Sequence, residues 1–272
     1  MTPVQSNHSK TTLLEGWTAI QGGLHTMFAT AVTDSHPLPP VSAPCPQPQG
    51  EPDTTFLLEA ASLQPRLHNH DWTAKVRLSD DGFCDSTAHI NLSYTLTMGL
   101  TSGGRTLSHR AVAELGLSTR QAWDLAADNL VVAARSPQGT RFYLRDAHQI
   151  TQIRNADRSA VQVKVPGAPI TAWLAHPRTF TILNNHLEEL LGPNLIYLAP
   201  LSDLLLVLPA SSKKRIQLEA WATTAFAGET PWELSGKGCV GGEQILSSPL
   251  IYRLGFPSML SSPPPAGQKQ AA

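Results

Sequence analysis

The stretch TFTILNNHLEELLGPNLIYLAPLSDLLLVLPASSKKRIQLEAWATTAF, Thr179 to Phe226, decides the fold. Phe180, Leu183, Leu187, Leu190 and Leu191 recur at three- and four-residue spacing, which puts them on one face of a helix. Pro177 suits the first turn, where a missing N–H removes no bond. Gly192 fits the left-handed residue after the last turn, and Pro193 blocks continuation. Asn194–Ala199 and Leu204–Leu208 are short and apolar on both parities, as strands covered on both faces are. Pro200–Asp203 is short enough for a hairpin loop. Ser211 or Ser212 can cap a following helix whose inward stripe draws on Ile216, Leu218, Ala220, Trp221 and Phe226, with Gly228 as its stop. The reading is an α+β protein: a mixed or antiparallel sheet with helices packed on it.

A membrane hairpin fails as an alternative for this block. A spanning helix needs about 20 uninterrupted apolar residues, and Pro193, Pro200, Asp203 and Pro209 break the run.

Working outward, Lys10–Val32 carries Leu13, Trp17, Ile20, Leu24, Met27, Phe28 and Ala31 at helical spacing, so an amphipathic helix is expected within residues 1–36. Gly22 and Gly23 weaken it by about 1 kcal/mol each. Residues 37–52 hold Pro37, Pro39, Pro40, Pro44, Pro46, Pro48 and Pro52 and read as an extended spacer. The α+β domain is expected over residues 53–258. Its first strands are Phe56–Leu58, Ala74–Leu78 and Ile90–Thr97, the last alternating strictly as a sheet with one wet face does. Ser108 can cap a helix over His109–Leu115 that stops at Gly116. Ser118 and Gln121 form a capping box for the next, which carries Ala122, Leu125, Ala126 and Leu130. Val131–Ala134 and Arg141–Leu144 suggest a strand pair around Ser136–Gly139, and Ala160–Val165 a further strand. Residues 259–272 are rich in Pro, Ser and Gln and read as a disordered tail.

The composition excludes some partners. Twenty basic against twenty-one acidic residues give a net charge of -1, with charged residues at 15%. That balance offers no attraction to nucleic acid or to an anionic membrane. Cys45, Cys84 and Cys239 are odd in number and far apart, which fits a reducing compartment better than a disulfide scaffold. The start, MTPVQSNHSK, has no basic segment leading into an apolar run. A cytoplasmic protein is the expectation.

Two stretches carry a family resemblance: LSHRAVAELGLSTRQAWDLAADNL, Leu107–Leu130, and LSDLLLVLP, Leu201–Pro209, within the block above. Together they resemble the YtpQ-like family of bacterial proteins. There, a short helix ending near a glycine, a second ending in Asn-Leu and a later strand around Asp-Leu-Leu occur in this order. The resemblance covers roughly residues 107–226 and implies an α+β fold and a bacterial cytoplasmic protein. It brings no catalytic residues with it.

Chemistry-bearing motifs are sparse. His68-Asn-His-Asp71 is the best: on a strand, His68 and His70 would face the same way and could share a divalent metal such as zinc with Asp71, with His89 and Cys84 close enough in sequence to complete the site. No HExxH or CxxC accompanies it. Ser211-x-x-Lys214 and Ser235-Gly-Lys-Gly238 echo serine acyl-enzyme motifs, but the intermediate Ser-x-Asn element is missing between them. Gly236–Gly242 is glycine-rich without the lysine placement of a phosphate loop, and Cys239 lies two residues after Lys237. Asn184, Asn185 and His186 read as the solvated face of their helix, and Asp124, Asp128 and Asn129 likewise. The leading expectation is a non-enzymatic module that binds another protein and needs no cofactor. The rival is a metal-dependent hydrolase built on His68, His70 and Asp71.

Overall fold

The computed structural model describes residues 18–22, 59–74, 86–137, 139–153, 160–229 and 242–260. In chain order the first elements are β1 (Thr18–Gly22), β2 (Leu63–Asn69), β3 (His89–Asn91), β4 (Leu96–Ser102), β5 (Arg105–Thr106), α1 (His109–Glu114) and α2 (Thr119–Ala133). Then come β6 (Arg135–Ser136), β7 (Gly139–Asp146), α3 (His148–Thr151), β8 (Val161–Lys164) and α4 (Pro177–Leu191). The block that decides the fold continues with β9 (Leu195–Leu201), β10 (Leu204–Pro209) and α5 (Arg215–Phe226), and the hairpin β11 (Leu250–Arg253) and β12 (Phe256–Met259) follows. Single 3-10 turns lie at Ala60–Ser62, His70–Ala74 and Ile170–Leu174.

These strands form two antiparallel sheets. The larger runs β1-β7-β8-β10-β9-β11-β12, with β6 also on β7; the smaller runs β2-β4-β3, with β5 also on β4. The fold is therefore α+β.

The decisive block folds as its pattern dictates. Pro177 opens α4, and Gly192 closes it at φ 88°. Phe180, Leu183 and Leu187 are buried, whereas Leu190 is 47% exposed. β9 and β10 are buried on both faces. Tyr197, Leu205 and Val207 join the main core with Phe180, Leu183, Leu67, Met98 and Leu100. Ile196, Leu198, Leu204, Leu206 and Leu208 meet Leu218 and Ala222 of α5 on the other side. Each fully buried leucine contributes about 1.5–3 kcal/mol, and the one buried side-chain hydroxyl of these strands, on Tyr197, is hydrogen-bonded to Asn184. The caps of α1 and α2 are also as expected: the Ser108 hydroxyl accepts from the Ala111 N–H, and Ser118 with Gln121 closes a capping box.

Other expectations are corrected. Thr18–Gly22 is a strand and not part of a helix, pairing with β7 from Thr18↔Leu144 to Gly22↔Thr140. Thr18 and Ile20 are β-branched, Gly22 is a poor helix residue, and the edge of β7 satisfies the backbone of this stretch. Residues 1–17 and 23–58 lie outside the described residues, and so do the strand proposed at 56–58, most of the one at 74–78 and the proline spacer. Ile90–Thr97 is not one strand. Ser93 turns the chain between β3 and β4, its hydroxyl accepting from the N–H of Thr95 and of Leu96. The strand expected at His68 starts earlier, at Leu63, and ends at Asn69; Pro65 sits opposite Leu100, and among the described residues no strand pairs with the other side of β2. Val131–Ala133 stays helical, so the β6–β7 hairpin starts later, at Arg135. α5 takes Lys214 as N-cap with no side-chain cap, and Ile216 is 80% exposed, outside the inward stripe. Met259 closes a strand rather than opening the tail; residues 261–272 lie outside the described residues.

Candidate functional site

The small sheet has one apolar and one polar face. Residues paired directly across an antiparallel ladder point the same way. Leu67, Met98 and Ile90 therefore line the core face, and Arg66, Gly99 and His89 the other. His68, Thr97 and Asn91 lie on that second face too, with the Thr97 hydroxyl donating to Asn91 Oδ1 at 3.1 Å.

His68 is the centre of this face. It is only 5% exposed. Its Nδ1 lies 2.8 Å from Glu243 Oε2, a contact between residues 175 apart in sequence. The Trp72 ring stacks on its imidazole at 3.8 Å and 6°. Its Nε2 is buried with no hydrogen-bond partner. Gly99 makes this packing possible: a Cβ there would stand 2.5 Å from Trp72 Cη2 and 3.1 Å from His68 Nε2. With the proton on Nδ1, the imidazole donates to the carboxylate and Nε2 becomes a sealed acceptor.

The expected ligand quartet does not assemble. β2 ends at Asn69, whose side chain accepts from the Trp72 N–H at 3.1 Å and starts a 3-10 turn. That turn breaks the alternation that would have kept His68 and His70 on one face. His70 and Asp71 are exposed on it, while His68 is buried beneath Trp72. His89 shares the polar face, but its Nδ1 contacts the Thr87 carbonyl at 2.8 Å. No group of three or more His, Cys, Asp or Glu side chains able to hold a metal occurs among the described residues. Cys84, Ser235 and Cys239 lie outside those residues. Ser212, in the Ser-x-x-Lys motif, accepts from the Lys214 N–H and shapes the entry to α5.

Around this centre the sheets meet. The turn Ser202-Asp203 between β9 and β10 receives the 242–244 segment: Ser202 N–H donates to the Glu243 carbonyl, and Leu201 bridges Gln244. Asp203 is an exposed turn residue, yet partial burial pushes its carboxyl upward against the opposing pull of Arg66 and Lys164. At the end of the small sheet, the turn between β3 and β4 presents Tyr94 at 98% exposure. That turn is firmly held: Leu92 and Ser93 N–H both donate to the Leu96 carbonyl, and His70 N–H donates to Thr95. His70, Asp71 and Trp72 thus stand next to Tyr94's turn.

Sequence reasoning found His68 but missed Glu243, Trp72, Gly99 and Tyr94. A glycine inside a strand is a sign of close approach, and Gly99 could have been read so. No sequence signal connects Glu243 to His68.

Other buried polar groups are structural. His176 caps α4, its Nδ1 accepting from Arg178 N–H and its Nε2 3.0 Å from Asp124. Burial holds it below its ordinary value, with Asp124 pulling the other way. Asn184 accepts from the buried Tyr197 hydroxyl at 2.7 Å, and His186 packs against Phe142, so the expected solvated face of α4 is in part core. Asp128 pairs with Arg178.

No family model, curated protein or solved structure matches this chain. Among the described residues, no helix is long and apolar enough to cross a membrane.

Proposed function

We propose that this chain is a non-enzymatic binding module of the bacterial cytoplasm that engages another protein through the Tyr94 end of the small sheet. The observation that carries this reading is Tyr94 itself: an almost fully exposed aromatic on a hydrogen-bonded turn, beside the 3-10 turn of His70, Asp71 and Trp72. Tyrosine and tryptophan are among the side chains that anchor interfaces, because they offer large contact area for little lost freedom. The near-zero net charge argues for a protein partner over nucleic acid or membrane. The YtpQ-like resemblance of residues 107–226 supports the bacterial and cytoplasmic part of the proposal.

Catalysis has less to support it. A base needs its nucleophile within about 3.2 Å, and His68 Nε2 has no hydrogen-bond partner. The hydrolase alternative would need His70 and Asp71 to join His68 around a metal.

The test places a photo-crosslinking phenylalanine analogue at position 94 of the full chain in its native host, with position 216 on α5 as control. A discrete protein adduct from 94 alone supports the reading. Identical products from both positions, or none, count against it. Elemental mass spectrometry of the purified chain addresses the alternative: stoichiometric zinc, manganese or iron that His70→Ala removes would replace the binding reading with the hydrolase.

A further inference from the structure

Trp72 and Tyr94 ride on one frame. Their turns are joined by the bond from the His70 N–H to the Thr95 carbonyl, 2.9 Å long. The backbone of the Trp72 turn is fixed further, the Trp72 N–H donating to Asn69 Oδ1 at 3.1 Å and the Thr73 hydroxyl to the His70 carbonyl at 3.0 Å. These bonds hold the main chain. The indole itself is placed by packing against His68 and Gly99.

Two opposed effects meet in that packing. The indole gains by lying flat on the His68 imidazole, at 3.8 Å and 6°. The same cover closes His68 Nε2 off from water and supplies it with no donor. An unanswered buried acceptor carries its desolvation penalty in full. Glu243 keeps that penalty in place: its carboxylate accepts the proton on Nδ1 at 2.8 Å, which holds Nε2 as a bare acceptor. An aromatic stack and an orphaned acceptor are of the same order in energy, so the closed and open positions of the indole lie close together.

The seat is also narrow. A single added methyl at Gly99 would stand 2.5 Å from Trp72 Cη2. Trp72 is already partly exposed and sits on one isolated 3-10 turn. Rotation of the side chain would let water answer Nε2 and would project an apolar ring from the frame that carries Tyr94.

We propose that Trp72 is a swinging anchor: it lies on His68 in the free chain and turns outward into an apolar cleft of the protein that Tyr94 meets. This rests on the binding reading of Tyr94 and deepens it, by requiring of that partner a cleft wide enough for an indole. Tryptophan is enriched among the side chains that carry interface energy. Opening costs little, because the penalty at Nε2 is relieved as the stack is lost. His68, Glu243 and Gly99 act through Trp72, setting how often it is open, and do not touch the partner.

Two variants separate an anchor from a plain packing residue, because an anchor moves them in opposite directions. The readout is the yield of the position-94 adduct in the full chain. Trp72→Ala should cut it about tenfold, the loss of one strong anchor. Gly99→Ala, which evicts the indole but keeps it, should raise the yield severalfold by raising the binding-competent fraction. His68→Phe keeps a ring for the stack, removes the lone pair and should lower the yield. In the chain labelled with 6-fluorotryptophan, the fluorine resonance that Trp72→Ala deletes should move toward a solvent-exposed position in Gly99→Ala. A fall in yield for both Trp72→Ala and Gly99→Ala overturns the anchor, as does a rise for His68→Phe or an unmoved fluorine resonance. Undiminished adducts in Trp72→Ala end the anchor alone. Absence of any adduct from position 94 in the original chain ends the Tyr94 reading, and the anchor with it.

Discussion

The central hairpin of the large sheet and the small sheet obey different rules. β9 and β10 are apolar on both faces and lie between two hydrophobic cores. Every side chain there has one task, and the sequence states it without ambiguity. The small sheet is asymmetric: Leu67, Met98 and Leu100 face the core, while His68, Gly99 and His89 face Trp72, Glu243 and solvent. Symmetric burial specifies the fold, and the asymmetric sheet is where binding chemistry can reside.

The largest effect should come from the symmetric region. Phe180 is fully buried, edge-on to Tyr197 at 5.0 Å and to Tyr252 at 5.2 Å. Phe180→Ala should cost about 3–5 kcal/mol in urea unfolding, from lost transfer energy and the cavity left behind. A cost near that of a surface change would break the contrast, by showing that this core can collapse around a gap.

Gly99→Ala comes next and probes the asymmetric sheet. The new methyl would meet the Trp72 ring at 2.5 Å. Overpacking of this kind costs about 1–3 kcal/mol. Trp72 is partly exposed and sits on a single 3-10 turn, so it should swing away and uncover His68. The prediction sharpens in a double-mutant cycle: with Trp72→Ala already present, Gly99→Ala should cost much less. Equal costs in both backgrounds would show that Trp72 is not what Gly99 accommodates.

A pH dependence follows from α4. Burial holds His186 below its ordinary value, and His176 likewise. The unfolded chain takes up these protons near pH 6.5, while the folded chain resists until a lower pH. Between the two values the unfolded state binds more protons, so stability is full above about pH 6.5 and declines as pH falls below it, by at most about 1.4 kcal/mol per pH unit for each histidine. His186→Leu should remove its share of that slope in melts from pH 8 to 5. It also deletes a buried nitrogen with no partner, so the variant should be no less stable at pH 5 than the original chain. An unchanged slope would mean that His186 is protonated as readily folded as unfolded.

How much of this was legible follows from how local each signal is. The caps of α1 and α2, the stop at Gly192 and the hairpin of β9 and β10 are set by residues within a few positions of one another, and all are present as read. Errors arose where a distant partner outweighed the local pattern. Thr18–Gly22 has helical spacing in sequence but finds the edge of β7. Asn184 and His186 read as a wet face, but β7 and β9 bring Phe142 and Tyr197 against them. At the site, His68 was visible as part of a histidine pair, and the pairing itself was misread because Asn69 ends the strand through its own side chain. Glu243 acquires meaning only from a contact that a single sequence does not display.

The smallest expected effect on stability is at Tyr94, and that smallness is its value. The side chain is 98% exposed, while its turn is held by backbone bonds and by the Ser93 hydroxyl. Tyr94→Ala should therefore change unfolding free energy by no more than about 0.5 kcal/mol, as surface changes do. Folding gives no reason for a tyrosine here, since a polar residue would serve the turn as well. If adducts from the neighbouring exposed position 70 vanish in the Tyr94→Ala background while stability holds, the side chain is present for a partner. If Tyr94→Ala instead costs as much as Gly99→Ala, Tyr94 belongs to the packing of the small sheet, and the contrast between its two faces would have to be redrawn.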